Sequence, residues 1–291
     1  MLYPTAQDWL DAPHKRIALF GMSGLGKTFV SNLMRETGDW FHYSVDFRIG
    51  TRYMGEHIVD NFKREAMRNP FLRELLMSDS IYIASNISFN NLNPLSTYLG
   101  KPGDPAKGGI PLEEYIARQR QHRAAEIAAT LDARLFADKA NRIYGYPNFI
   151  ADTSGSLCEV VDPHDPEDPV LGPLSQQILP IWIRGTAAHV DALCARFSKA
   201  PKPMYYNEEF LRDIWERFCT EHRVQPSAVD PDAFIRYGFR QLLDRRLPIY
   251  ATIAEHWGIT LEADDVARIQ TAHDFEELVA KALPASAKAA I

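Results

Sequence analysis

The chain has 291 residues, of which 46% are hydrophobic and 24% charged, a balance that supports a buried core and argues against a disordered chain. A net charge of −6 offers no basic footprint for general nucleic-acid binding. Cys158, Cys194 and Cys219 form no C-x-x-C pair, no apolar stretch reaches membrane-span length, and the first residues show no basic segment leading into an apolar one. Reduced thiols, a cytoplasmic setting and no membrane partner are the expectation.

The first element is an apolar run, Ile17-Ala18-Leu19-Phe20, read as a strand. It leads into Gly21-x-x-x-x-Gly26-Lys27-Thr28 and then a helix-compatible stretch at 29–35. Residues 40–45 predict a second strand ending at Asp46. From 52 to 77 the pattern is helical, with Ile58, Phe62, Met67 and Leu75 as core candidates and Pro70 breaking it in two. Residues 90–111 are rich in Pro and Gly and read as a loop. A long helix is expected over 112–143, its apolar positions including Tyr115, Ile116, Ile127, Leu131 and Leu135, and with the Arg118 to Arg123 run as a solvated face.

Residues 148–152 form a third apolar run, closed by Asp152 and followed by Thr153-Ser154-Gly155-Ser156. The acidic loop at 162–169 precedes a strand at 178–183. Helices follow at 187–197, with Val190, Leu193 and Phe197 on one face, and at 207–222 and 231–245. Residues 249–257, a last strand at 258–261 and a closing helix at 274–283 complete the pattern, with a frayed tail at 284–291. Alternating strands and helices predict an α/β fold with a mostly parallel sheet flanked by helices, read as one domain with helical insertions at about 78–147 and 205–240.

The glycine-rich run between a strand and a helix is the phosphate-loop (Walker A) signature. Its glycines allow close backbone approach to phosphate oxygens, and the helix N-terminus behind them favours an anion. Gly21, Ser23, Gly24, Leu25, Gly26, Lys27, Thr28 and Phe29 are the candidate nucleotide-binding residues. In that pattern Lys27 reaches the β- and γ-phosphates and Thr28 offers its hydroxyl to Mg²⁺. ATP and Mg²⁺ are therefore the expected cofactors, with ATP preferred to GTP because no Asn-Lys-x-Asp is present.

Two strand-end acids, Asp46 and Asp152, are candidates for metal ligand and for proton acceptor, and the sequence leaves the choice open. Arg48 and Arg52 lie just beyond Asp46, where guanidinium groups suit an anionic acceptor. Arg245-Arg246 read either as a helix C-terminal charge pair or, through Arg246, as a further acceptor contact. No H-E-x-x-H or Cys/His cluster suggests zinc. His164 among Asp162, Asp165, Glu167 and Asp168 reads as a proline-stiffened solvated loop.

Together these features resemble the small-molecule P-loop kinases, with the shikimate kinase family as the nearest pattern. The resemblance implies a three-layer P-loop fold and rests on the glycine-rich loop, on Asp46 with the arginines after it, on the strand and turn at 149–156, on the segment from Pro180 through Arg196 to Tyr205, and on Arg246-Leu-Pro-Ile-Tyr250. The departures are specific. The family's Asp-x-Asp reads Asp46-Phe47-Arg48, its triple-glycine turn reads Thr153-Ser-Gly-Ser156, and its arginine-rich lid is shortened to 198–203. The resemblance implies Mg²⁺-dependent phosphoryl transfer from ATP to a small anionic metabolite gripped by Arg48, Arg52 and Arg246. The departures keep a second reading: an ATPase or nucleotide switch acting through a protein partner.

Overall fold

The structure, a computed structural model, describes residues 2–285, so the tail beyond Ala285 expected to fray lies outside the described residues. In chain order the strands are β1 (Arg16–Phe20), β2 (Trp40–Ser44), β3 (Asn148–Asp152), β4 (Leu179–Arg184) and β5 (Ile259–Glu262). The first helices are α1 (Ala6–Leu10), α2 (Lys27–Glu36), α3 (Val45–Arg48), a π-helix at Ile49–Tyr53, α4 (Gly55–Ala66), α5 (Pro70–Met77), α6 (Asn93–Leu99) and α7 (Leu112–Arg142). The remainder are α8 (Leu171–Ser175), α9 (Ala187–Lys199), α10 (Glu208–Glu221), α11 (Pro231–Trp257), α12 (Ala263–Val266) and α13 (Ala272–Ala282).

The chain divides into two compact units, the first comprising 1–45, 130–200 and 239–291 and the second 46–129 and 201–238. The first unit holds the sheet, ordered β2-β3-β1-β4-β5 with every neighbouring pair parallel. Parallel strands need both faces covered. Accordingly Ile17, Leu19 and Phe20 of β1 and Ile181 and Ile183 of β4 are fully buried. Helix α2 packs on β2 and β3, α13 on β5 and α2, and α8 on β4. The strand order turns back on either side of β1, and open α/β sheets bind ligands beyond the carboxyl ends of strands at such a reversal. This is an α/β fold with a five-stranded, all-parallel sheet flanked by helices.

The second unit is built almost entirely of helices. Its segment of α7 shows why the Arg118 to Arg123 run is not the solvated face expected. Arg118, Gln119 and His122 are buried, and the Gln119 side chain accepts from the Tyr206 amide at 2.9 Å while the His122 ring stacks 4.8 Å from Tyr205. Only the outward positions carry surface pairs, such as the bidentate Arg120–Glu208 contact at 2.7 Å.

Several other expectations need correction. Leu135 is 58% exposed, because α7 in the first unit turns its small residues, Ala133, Ala137 and Ala140, inward instead. The 90–111 segment contains α6, started by Pro94 in its first turn, where the missing amide hydrogen costs nothing. Pro70 breaks the 52–77 stretch in two as expected, by starting α5 with Asn69 as its cap. Of the core candidates in 52–77, Ile58 alone is fully buried. The β2 strand stops at Ser44, and Asp46 lies in the first turn of α3 rather than at the strand end. Helix α11 continues through Pro248 to Trp257, so Arg245-Arg246 sit mid-helix and not at a C-terminus.

Candidate functional site

Where β1 ends at Phe20, the chain enters a loop with φ of 125° at Gly21, 83° at Gly24 and 103° at Gly26, angles that L side chains rarely adopt. A Cβ on Gly21 would also lie 2.9 Å from the Ile183 carbonyl oxygen, and one on Gly24 would lie 2.6 Å from Nη2 of Arg196. Glycine is needed at Gly21 for space as well as for angle, and at Gly24 for angle, since the Arg196 side chain can move aside. Among the described residues the amides of Ser23, Gly24 and Gly26 donate no hydrogen bond. These donors precede α2, whose dipole adds positive character to its N-terminus.

Lys27 opens α2 and is buried. Its Nζ donates to the carbonyls of Gly21 at 2.9 Å and Met22 at 3.1 Å. A buried ammonium beside a loop of open amides gives this end of the sheet positive character. Its neighbour Thr28 donates its hydroxyl to Oδ2 of Asp152 at 3.0 Å. Asp152 is placed there by sheet register, as the last residue of β3, opposite Leu19 of β1 and Ser44 of β2. Burial raises the Asp152 pKa, while the Lys27 charge and the Thr28 hydrogen bond pull it back down. A hydroxyl and a carboxylate side by side supply the hard oxygen ligands that Mg²⁺ prefers.

Beyond Asp152 the chain turns through Thr153 to Ser156. Thr153 is tied to the Leu19 carbonyl by its amide at 3.0 Å and its hydroxyl at 2.9 Å. The hydroxyls of Ser154 and Ser156 are 2.6 Å apart, and both side chains are buried. A Cβ on Gly155 would stand 3.4 Å from Ser23 Oγ, which puts this turn against the glycine-rich loop.

The turn is clamped from behind by α11. The Gly155 carbonyl accepts from Arg246 Nη1 at 3.0 Å and also from the Tyr250 hydroxyl. Arg246 Nε donates to Glu159 at 2.9 Å, with Arg245 on the same carboxylate at 3.4 Å. Arg246 and Tyr250 are one helical turn apart, so Arg-x-Pro-x-Tyr spacing aims both at one carbonyl. Burial works against the Arg246 charge, but Glu159 overrides it and the pKa stays above the ordinary arginine value. Both Tyr250 and the Glu159 side chain are fully buried. Arg246, expected to touch an acceptor, makes these contacts to the protein's own turn.

On the other side of the glycine-rich loop lies a cleft of about 290 Å³, walled by Leu25, Phe29, Val266, Ala263 and His189. Phe29 leaves 48% of its surface exposed there. An apolar, partly open slot beside the glycine-rich loop suits a flat heteroaromatic ring. His189 is fixed by the α9 capping box with Thr186.

The structure thus brings together 21–29 and Asp152 in the first unit, with Arg246 supporting the turn next to them. Asp46, Arg48 and Arg52 belong to the second unit, where the Arg48 guanidinium lies 5.7 Å from the centre of the Tyr53 ring. Sequence reading missed Glu159, Tyr250 as a hydrogen-bond donor, Arg196 over Gly24, and the walls from α9 and α12. The Arg246/Tyr250 spacing was a usable signal. Arg196 lay in a segment that carried the resemblance, but its place over Gly24 did not show, and Ala263 and Val266 carried no signal, because nothing local marks a residue brought to the loop by tertiary packing. No protein-family model matches the chain, and no match is found among curated proteins.

Proposed function

We propose that the chain binds Mg·ATP at residues 21–28 and Asp152 and transfers the terminal phosphoryl group to a small anionic metabolite. The observation that carries this reading is the Thr28–Asp152 hydrogen bond, 3.0 Å long, beside the buried Lys27 and the open amides of the loop. Phosphoryl transfer depends mainly on positioning and charge neutralisation, and this cluster contains the parts for both. The residues fit the expected metal, since Thr28 and Asp152 would hold Mg²⁺. When bound, the ion would neutralise charge on the phosphate oxygens.

Lys27 would leave the Gly21 and Met22 carbonyls to pair with the β- and γ-phosphates. The loop amides would hold the phosphate oxygens, and Arg196 would add a second cation beside Gly24. Leu25, Phe29 and Val266 would pack on the base. Arg246 and Tyr250 would act by fixing the Gly155 carbonyl, and through it the Ser154–Ser156 turn.

A second reading, ATP hydrolysis serving as a switch for a protein partner, is favoured by the clamp itself. The Ser154–Ser156 turn is wired to α11, whose first residues, 231–238, belong to the second unit. The test is ADP formation from Mg·ATP, alone and across a panel of hydroxylated anionic metabolites. Stimulation by an acceptor, with a phosphorylated product, supports transfer. Steady hydrolysis indifferent to every acceptor supports the switch, and absence of nucleotide binding contradicts both.

A further inference from the structure

The second unit contains a cleft of about 720 Å³ formed by the π-helix, the first turns of α4 and the segment around Ala84 and Ser85. Its charged lining is of both signs: Arg52 and Lys63 against Glu56 and Asp60. Lys63 and Asp60 face each other at 3.4 Å. Arg52 and Glu56 do not: among the described residues neither makes a hydrogen bond or ion pair.

The reason lies in the backbone. Residues four apart on a continuous α-helix are neighbours, and an Arg and a Glu at that spacing can pair. Here the Met54 amide donates to the Ile49 carbonyl at 2.8 Å, an i to i+5 bond, and Met54 itself has φ −115° and ψ 0°. The π-turn and the break at Met54 shift the helical phase between the two residues. Both are exposed, and they line one cleft without pairing to each other. Single π-turns inside helical segments recur at functional sites because they re-aim side chains in this way.

We infer that this cleft binds a hydroxylated zwitterion, its anionic group on Arg52 and its ammonium group on Glu56. A ligand of one sign would satisfy one lining charge and crowd the other with a like charge, whereas a zwitterion satisfies both. Ser85, also in the lining, carries a hydroxyl for a polar substituent, whereas Thr51 donates its own to the Phe47 carbonyl at 2.7 Å. The volume suits a small metabolite rather than a macromolecule. The inference goes beyond the nucleotide reading and stands without it, since every residue involved belongs to the second unit.

The test is NMR of the full chain, following backbone amides of 51–63 and 84–85. Serine, homoserine and glucosamine 6-phosphate serve as probes, each beside analogues that keep only the cation or only the anion. At least one zwitterion should shift these amides saturably, at least tenfold more tightly than its single-charge analogues. Arg52→Ala and Glu56→Ala, both at exposed positions, should each weaken it tenfold or more. Shifts from none of the zwitterions, or equal binding of an anion-only analogue, would overturn the inference. Repeating the titration on Lys27→Ala separates the two claims, because loss of nucleotide binding in that variant should leave zwitterion binding intact.

Discussion

Both units carry exposed ion pairs, such as Arg268–Asp265 in the first and Arg68–Glu65 in the second, and they differ in the charges beside the glycine-rich loop. In the sheet-bearing unit these are buried or half-buried and directed. Lys27 bonds to two carbonyls, Asp152 to Thr28, and Glu159 to two arginines, one of them buried. In the helical unit most charged pairs lie at the surface, as with Arg68 and Glu65, which are 72% and 54% exposed. The first arrangement is imposed by strand ends and one positive-φ loop, so each side chain has little freedom. The second follows helix periodicity, where a charge needs only water. Chemistry that depends on preorganised groups belongs to the first kind of setting.

Substitutions at the two kinds of site should separate sharply. Lys27→Ala should lower Mg·ATP turnover by on the order of 10²–10³-fold or more, with the circular dichroism spectrum unchanged; full activity would remove the glycine-rich loop from the account. Asp152→Asn should lower turnover comparably and yet raise the melting temperature of the ligand-free protein. The sign follows from burial. The Asp152 pKa is raised on folding, so the folded state holds the proton more tightly, and stability falls as pH rises through that window. Removing the charge removes that penalty at neutral pH.

Glu159→Gln leaves the buried Arg246 guanidinium without its counter-charge, and breaking such pairs costs about 3–5 kcal/mol. Urea unfolding should show that loss, and a cost under about 1 kcal/mol would mean that the clamp on Gly155 is not built on the ion pair. His42 in β2 comes next. Burial, reinforced by the nearby Arg35 charge, lowers its pKa to about 4. The unfolded chain therefore takes up a proton near pH 6.5 that the folded chain refuses until about 4, so stability should decline as pH falls across that interval, by at most about 3 kcal/mol. His42→Gln should flatten that decline. At the small end, Arg68→Ala in the helical unit should change stability by about 0.5 kcal/mol or less.

Much of the sheet-bearing unit was legible in the sequence because its signals are local. Apolar runs of four or five residues marked β1 and β3, and Gly21-x-x-x-x-Gly26-Lys27-Thr28 marked the turn between strand and helix. Asp152 was legible as an acid closing a strand. Asp46 misled for the same reason, since an acid after an apolar run reads alike whether the next residues turn or, as with Val45–Arg48, start a helix. Arg246 was legible as important, but its contacts were not, because Glu159 and Gly155 reach it only through folding. The charged run on α7 was read as a solvated face because composition does not show that the 204–206 backbone lies against Gln119. Arg52 and Glu56 fall in a stretch whose pattern is plainly helical, and only the π-turn between them separates their charges.

Calorimetric titration of the full chain with a non-hydrolysable Mg·ATP analogue reads nucleotide binding itself. One site per chain is expected, weakened at least tenfold when Mg²⁺ is omitted and lost in Lys27→Ala. No heat of binding to the wild-type chain, or equal binding to Lys27→Ala, would contradict it.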